Sequence, residues 1–311
     1  MCTRVFWNDN PIAKVASRSM DWAVSDEPDL WFYPAGLERV GGPQADAATW
    51  TSVYASVALS MWQIGTVDGM NEKGLAAHAL FLYDVEPEAE DARATVSLAM
   101  WVQYLLDHFD TVADAVEHVA DIRIIAPPIR GQYMGAHIAI EDASGDSAIF
   151  EPINGEMVVH HGAEFTVMAN SPTFDEQLAN RARYRPFGGE LPPPGDITSA
   201  DRFVRASYFR HYLPEPRNLE QTVAGVLQVS QNVAVPAGAP YDDGGIYPTW
   251  WHSASDLTNL TYYFWSTTSP NVIWAELPEL AAQTEVLSMN PRAEHLVGDV
   301  TGLLVPAALV Y

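Results

Sequence analysis

The chain has one cysteine, Cys2, and it directly follows Met1. A lone cysteine is ordinarily a small buried hydrophobe, so the residue type alone says little. Its position says more. Cysteine is small enough to permit removal of Met1, and the residue left behind would carry a thiol and a free α-amine on one Cα. Such an amine ionises near ~8 and a thiol near ~8.5. The amine can therefore take the thiol proton, directly or through a water, and later return it to a leaving amine. A residue of this kind is nucleophile and base at once, suited to acyl transfer from an amide. An intramolecular disulfide or a Cys-based zinc site is excluded by the count. A redox role would need an intermolecular partner.

Three further segments carry groups that suit this chemistry. RSMDW places Arg18 and Asp21 three residues apart. A guanidinium beside sulfur favours the thiolate, and a carboxylate would hold an α-amine in place. The competing reading is a strand-end ion pair. VMANSPTFDEQL puts Asn170 at a strand-to-loop junction, from which a side-chain amide can donate to an oxyanion. An ordinary turn asparagine would look the same. In GDITSADRFVR, Arg202 lies in the first turns of a predicted helix beside Asp201. A base there opposes the helix dipole and asks for an anion, with a surface pair to Asp201 as the plainer reading.

Trp22 and Phe81 are the aromatic residues placed to wall an apolar acyl pocket, although both could equally be core. The nine histidines are scattered, with only His160 and His161 adjacent and no HExxH spacing. They read as structural or surface residues. Neither a metal nor an organic cofactor is expected.

The elements that must position these groups come in blocks. Strand-like runs cover Thr3 to Trp7, Ile12 to Ser17, Leu30 to Tyr33, Trp50 to Leu59 and Gly74 to Leu82, the last preceded by a turn-like DGMNEKG. Helical spacing follows over Val96 to His108, and Thr111 caps a second helix to Val119. Strands return at His137 to Ile140, Ser147 to Glu151, Glu156 to His160 and Phe165 to Ala169. Helices follow at Asp175 to Tyr184, Ser199 to Tyr212 and Leu219 to Gln228. Strands at Trp250 to Ser253, Leu260 to Trp265 and Val272 to Ala275 complete the pattern. Blocks of this kind, without strict βαβ alternation, predict an α+β fold of antiparallel sheets covered by helices. The Pro-rich stretch Phe187 to Asp196 reads as a surface loop, so one domain over 1–311 is expected.

Composition narrows the partners. Forty acidic against 16 basic side chains give a net charge of −24, which repels phosphate backbones and anionic membrane surfaces. No apolar run is long enough to span a bilayer. The opening MCTRVFWNDN is neither basic nor followed by an apolar run. That fits a cytoplasmic protein, or a periplasmic or secreted one whose leader has been removed.

Taken together, MCTR, RSMDW, DGMNEKGL, ANSPTFD and GDITSADRFVR resemble, in order, the motifs of the choloylglycine hydrolase family, which contains penicillin V acylases and conjugated bile salt hydrolases. The resemblance spans roughly residues 1 to 210. It implies the four-layer αββα sandwich of N-terminal-nucleophile hydrolases, assembled as a homotetramer. It also implies Cys2 as nucleophile with its freed amine as base, Arg18 on the thiol, Asp21 on the amine, Asn170 at the oxyanion hole and Arg202 in support. Where many bile salt hydrolases carry an oxyanion-hole asparagine after NEKGL, this chain has Phe81, which has no side-chain donor. The stretch from Asn170 to Arg202 is also shorter than in that branch. Both features resemble the Gram-negative branch of the family. The implied substrate is a small N-acyl amide of the penicillin V or N-acyl homoserine lactone type. A bile salt hydrolase, an acyltransferase and a non-catalytic binding protein on the same fold are the alternatives.

Overall fold

The computed structural model of the protein describes residues 1–269 and 271–311. Two large sheets carry the chain. In the first, seven strands run in the order Val167–Met168, Cys2–Trp7, Val15–Asp21, Thr249–Asp256, Thr261–Ser266, Ile273–Glu276 and Gly298–Asp299. In the second, nine strands run from Glu156–His161 through Ser147–Ile153, Ala136–Glu141, Ala76–Phe81, Gly65–Asn71, Ser56–Met61, Leu30–Tyr33 and Leu287–Met289 to Val305–Pro306. Neighbours are antiparallel throughout the second sheet.

The strands' alternating faces generate the layers. Ala76, Leu80, Ala139 and Ile149 of the second sheet join Phe6, Ala16 and Met20 of the first in the core between the sheets. The intervening Ala77, Ile138, Ile140 and Phe150 face outward onto Trp101, Leu105 and Leu106 of helix Leu98–His108. On the far side, Trp7, Val15 and Ala254 meet Val223 and Val226 of helix Leu219–Asn232. The order is helix, sheet, sheet, helix, the α+β layered sandwich expected. The main core draws residues from Cys2 to Leu304.

Several predicted boundaries move. The second strand is Val15–Asp21, not Ile12 to Ser17. Trp50 to Leu59 divides into Thr49–Thr51 and Ser56–Met61. Most of the turn-like DGMNEKG is strand: Asp68 to Asn71 end the strand Gly65–Asn71, which is buried along its whole length. Polar residues survive there because they are bonded. Asn71 Nδ2, for example, donates to Leu106 O and Phe109 O at the end of the covering helix, at 3.0 and 2.7 Å. Gly65 is required for space, since a Cβ would lie 2.0 Å from Ala99 O.

Thr111 does cap its helix, accepting from Asp114 N at 3.2 Å. No described helix is long and apolar enough to cross a membrane.

Candidate functional site

Register brings the first groups together. Cys2 pairs with Met20 and Arg4 with Arg18 across the two N-terminal strands, so these four side chains share the face turned to the second sheet. Thr3 and Asp21 point the other way, toward the helices.

On the inner face, Cys2 Sγ is 3.3 Å from Arg18 Nη2 and 3.8 Å from Met20 Sδ. Cys2 is buried, with 2% of its surface exposed. Arg18 reaches across into the second sheet at a fork. The ladder between Gly65–Asn71 and Ala76–Phe81 pairs Met70 with Ala76, Gly69 with Ala77 and Asp68 with His78, and stops there. Beyond that point Arg18 Nη1 donates to Val67 O at 3.3 Å and Nη2 to Ala79 O at 3.1 Å. The guanidinium thus takes carbonyls that the parted strands leave free. It also stacks on Trp251, 4.7 Å from the ring centroid. Burial works against its charge, but Cys2 and Asp68 outweigh that and hold the guanidinium above its ordinary pKa.

The open end of the fork is a cleft that leads to Cys2. Its walls are apolar, with Met20, Trp22, Met61, Ile64, Phe81 and Ile129 among them. Trp22 and Phe81 stand together, their ring centroids 5.3 Å apart.

On the helical face, Arg202 is fully buried and does not pair with Asp201. Helix Ser199–His211 is capped by Thr198, and Arg202 sits in its first turn, aimed at the strand. Its Nη1 donates to Cys2 O at 2.6 Å and to Thr3 Oγ1, its Nη2 to Asn170 Oδ1 at 2.9 Å, and its Nε to Ile197 O at 3.0 Å. The anion it faces is Asp21, whose Oδ2 lies 3.5 Å from Nη1. The other Asp21 oxygen accepts from Thr249 Oγ1 at 2.7 Å. Asp21 Oδ2 is buried and accepts no hydrogen bond from the described residues.

Asn170 ends the strand–loop junction where the sequence places it. Its Oδ1 accepts from Cys2 N, and its Nδ2 donates to Phe81 O at 2.7 Å. One amide hydrogen is thereby engaged and the second remains for another acceptor. Ser199 Oγ and Gln177 Nε2 hold the Asn170 backbone at 2.9 and 3.0 Å. Neither was singled out as a site residue in the sequence, although Ser199 lies within GDITSADRFVR and Gln177 within VMANSPTFDEQL.

Met1 is present here, so Cys2 N is a peptide nitrogen standing where the α-amine would be. The Met1 amine donates to Asp21 O, and burial holds it below its ordinary pKa against the pull of Cys2 and Asp21.

Sequence reasoning also passed over a buried polar group behind the site. His78 is not on the surface: its ring lies between Asp68 and Glu141. Asp26 accepts from Trp251 Nε1 at 2.8 Å; burial, opposed by that bond and by Arg18, pushes its carboxyl up to about 6. His252 is pushed down to about 3 by burial and by Arg18.

The chain resembles known proteins over most of its length. The sequence profile of the linear amide C-N hydrolases, choloylglycine hydrolase family, matches residues 2–288. The chain is 38% identical over 306 residues to a penicillin V acylase of Pectobacterium atrosepticum, with 90% of this chain and 81% of that protein covered. A bile salt hydrolase/transferase of Bifidobacterium longum subsp. longum is 25% identical over 294 residues, covering 85% and 91%. Among solved structures, penicillin V acylase from Agrobacterium tumefaciens superposes with a TM-score of 0.89 at 36% identity, covering 99% of this chain and 98% of that one. A mutant conjugated bile acid hydrolase from Clostridium perfringens shares the fold, with a TM-score of 0.81 at 21% identity over 96% and 98% of the two chains.

Proposed function

This chain belongs to the choloylglycine hydrolase family of linear amide C-N hydrolases, and on that footing we propose that Cys2, freed of Met1, cleaves N-acyl amides through a thioester. One observation carries the reading: Cys2 Sγ lies 3.3 Å from a buried guanidinium at the inner end of an apolar cleft. Arg18 lowers the cost of a buried thiolate. Met1 removal would turn Cys2 N into an amine already resting on Asn170 Oδ1. It would also supply a charged donor near the unfilled Asp21 Oδ2. The thiolate attacks the amide carbonyl, the free Asn170 N–H and backbone N–H groups receive the oxyanion, and the α-amine passes its proton to the departing amine. Water then hydrolyses the thioester. Arg202 fixes Cys2 O, Asn170 and Asp21 relative to one another.

The substrate in this reading is a small amide whose acyl group is aryl or fatty, because Trp22, Phe81, Met61 and Ile64 offer contact area and no charge. Phenoxyacetyl amides and N-acyl homoserine lactones fit that description. So does the 38% identity to a protein named penicillin V acylase. A homotetramer is part of the same reading and is testable by light scattering.

Intact-mass spectrometry of the purified protein, mixed with phenoxyacetyl, fatty-acyl and cholyl amides, tests the proposal. Loss of Met1 and a transient acyl adduct on Cys2 are expected with the first two. Retention of Met1 together with full amidase activity would sink the mechanism, as would activity surviving in Cys2→Ala.

A further inference from the structure

Behind Cys2, charged side chains form a continuous series between the two sheets. Arg18, whose Nη2 meets Cys2 Sγ, has Nη1 3.6 Å from Asp68 Oδ2. That same oxygen is 2.5 Å from His78 Nδ1, and His78 Nε2 is 2.6 Å from Glu141 Oε1. Glu141 Oε2 accepts from Arg4 Nε at 3.0 Å and from Arg4 Nη2. All five side chains are at most 1% exposed.

Both nitrogens of His78 face carboxylate oxygens. An imidazole can donate from both only as imidazolium, so two ionised carboxylates at these distances require a protonated ring. Burial opposes that charge, but Glu141 and Asp68 outweigh it and carry the ring up to about 9. With Arg4, Arg18 and His78 positive and Asp68 and Glu141 negative, the series has one unmatched positive charge. Its open end is Cys2.

The same bonds have a positional effect. Asp68 Oδ2 is taken by His78 and Oδ1 by the Tyr262 hydroxyl. Its separation of 3.6 Å from Arg18 exceeds a hydrogen bond. The guanidinium is thus left to bond Val67 O, Ala79 O and the sulfur. The other titratable groups around Arg18 are Asp26, hydrogen-bonded to the Trp251 indole on which Arg18 stacks, and His252. Asp21, Arg202 and the terminal amine lie on the opposite side of Cys2.

We propose that His78 is a positioning residue for Cys2, holding Asp68 away from a closed pair with Arg18 and supplying the unmatched positive charge that a Cys2 thiolate satisfies. This rests on Cys2 being the nucleophile.

The pH profile of iodoacetamide alkylation of Cys2 in the mature protein reads the thiolate without any substrate. His78→Gln should move that profile about one unit toward higher pH. It should lower kcat about tenfold at neutral pH with KM within about twofold, and the loss should shrink as pH rises. Adding Asp68→Asn to His78→Gln restores the net charge and should bring the profile back toward wild type. A merely structural role predicts compounded loss instead. If His78→Gln does not fold, the ring ¹⁵N resonances of His78 in the wild-type protein decide. Two protonated nitrogens at neutral pH support the proposal, and a neutral ring overturns it. An unmoved profile in His78→Gln, or no return in the double variant, also overturns it while wild-type Cys2 still forms an acyl adduct. A wild-type protein that never acylates Cys2 overturns the nucleophile reading and this proposal with it.

Discussion

Arg202 Nη2 donates to Asn170 Oδ1 at 2.9 Å, and the two residues then hold Cys2 from its two ends, Arg202 at the carbonyl and Asn170 at the nitrogen. Cys2 is thereby clamped by a loop residue and a helix residue that follow it by 168 and 200 positions in the chain. A planar fork is needed, because one guanidinium serves Cys2 O, Thr3 Oγ1, Asn170 Oδ1 and Ile197 O together.

Arg202→Lys is therefore not a mild change. One ammonium cannot reach the same four oxygens, and Asp21 loses its buried partner. We expect a fall in kcat of about 100-fold and a loss of about 2–4 kcal/mol of stability. Steady-state kinetics and denaturant unfolding read the two effects separately. Activity within twofold of wild type would remove Arg202 from the clamp.

Asp21→Asn tests the unfilled oxygen. The bond from Thr249 to Oδ1 survives, but the second position now presents N–H groups toward the terminal amine and Arg202. The expected result is a folded protein with normal Met1 removal and kcat reduced about 100-fold, most of it not in KM. A change confined to KM would count against a role for Asp21 at the amine.

Phe81 divides into two functions that mutation can separate. Its carbonyl holds Asn170, and its ring stands against Trp22 in the cleft. Phe81→Ala keeps the carbonyl and removes the ring. For a phenoxyacetyl amide, kcat/KM should fall about 10–30-fold, from lost apolar contact worth about 1–2 kcal/mol, with a smaller loss for an acetyl amide. Equal losses on both substrates would place the ring outside the acyl pocket.

Asp26 supplies a pH dependence of stability. Its folded-state pKa of about 6 lies above the ordinary carboxylate value of 3.8. The folded protein therefore favours the protonated form, and this contribution is full below about pH 4 and lost as pH rises through about 6. The shift bounds the cost of the ionised form at about 3 kcal/mol. Asp26→Asn retains an acceptor for Trp251 and should stabilise the protein at pH 8 while leaving it near wild type at pH 4. Denaturant unfolding at both pH values gives the answer, and a gain independent of pH would assign the effect to something other than ionisation.

Legibility followed the range of the interaction. Helix Leu98–His108 was readable because Leu98, Trp101, Val102 and Leu105 recur at helical spacing, and the cap at Thr111 because its partner is three residues away. The strands Cys2–Trp7 and Val15–Asp21 are buried along both faces, so they show little period-two alternation and their ends blur. For the same reason the end of the strand Gly65–Asn71 passed as a turn: Asp68, Gly69 and Asn71 have turn chemistry, and only contacts from distant residues make them strand. Cys2 was legible by position, and Arg18, Asp21, Asn170 and Arg202 by motif order. His78 was not, since its meaning depends on Asp68 and Glu141, ten and 63 residues away.

The fork between Gly65–Asn71 and Ala76–Phe81 has a consequence for how such a protein can change over time. Arg18 closes the split by taking two stranded carbonyls, and the same side chain faces the sulfur. On the proposed mechanism, drift at this position is penalised twice, once as a defect in the architecture and once as a defect in the chemistry. Trp22, Phe81 and Ile129 line the cleft without closing the split. Substrate range can diversify through those walls while the position that joins scaffold to reaction stays fixed.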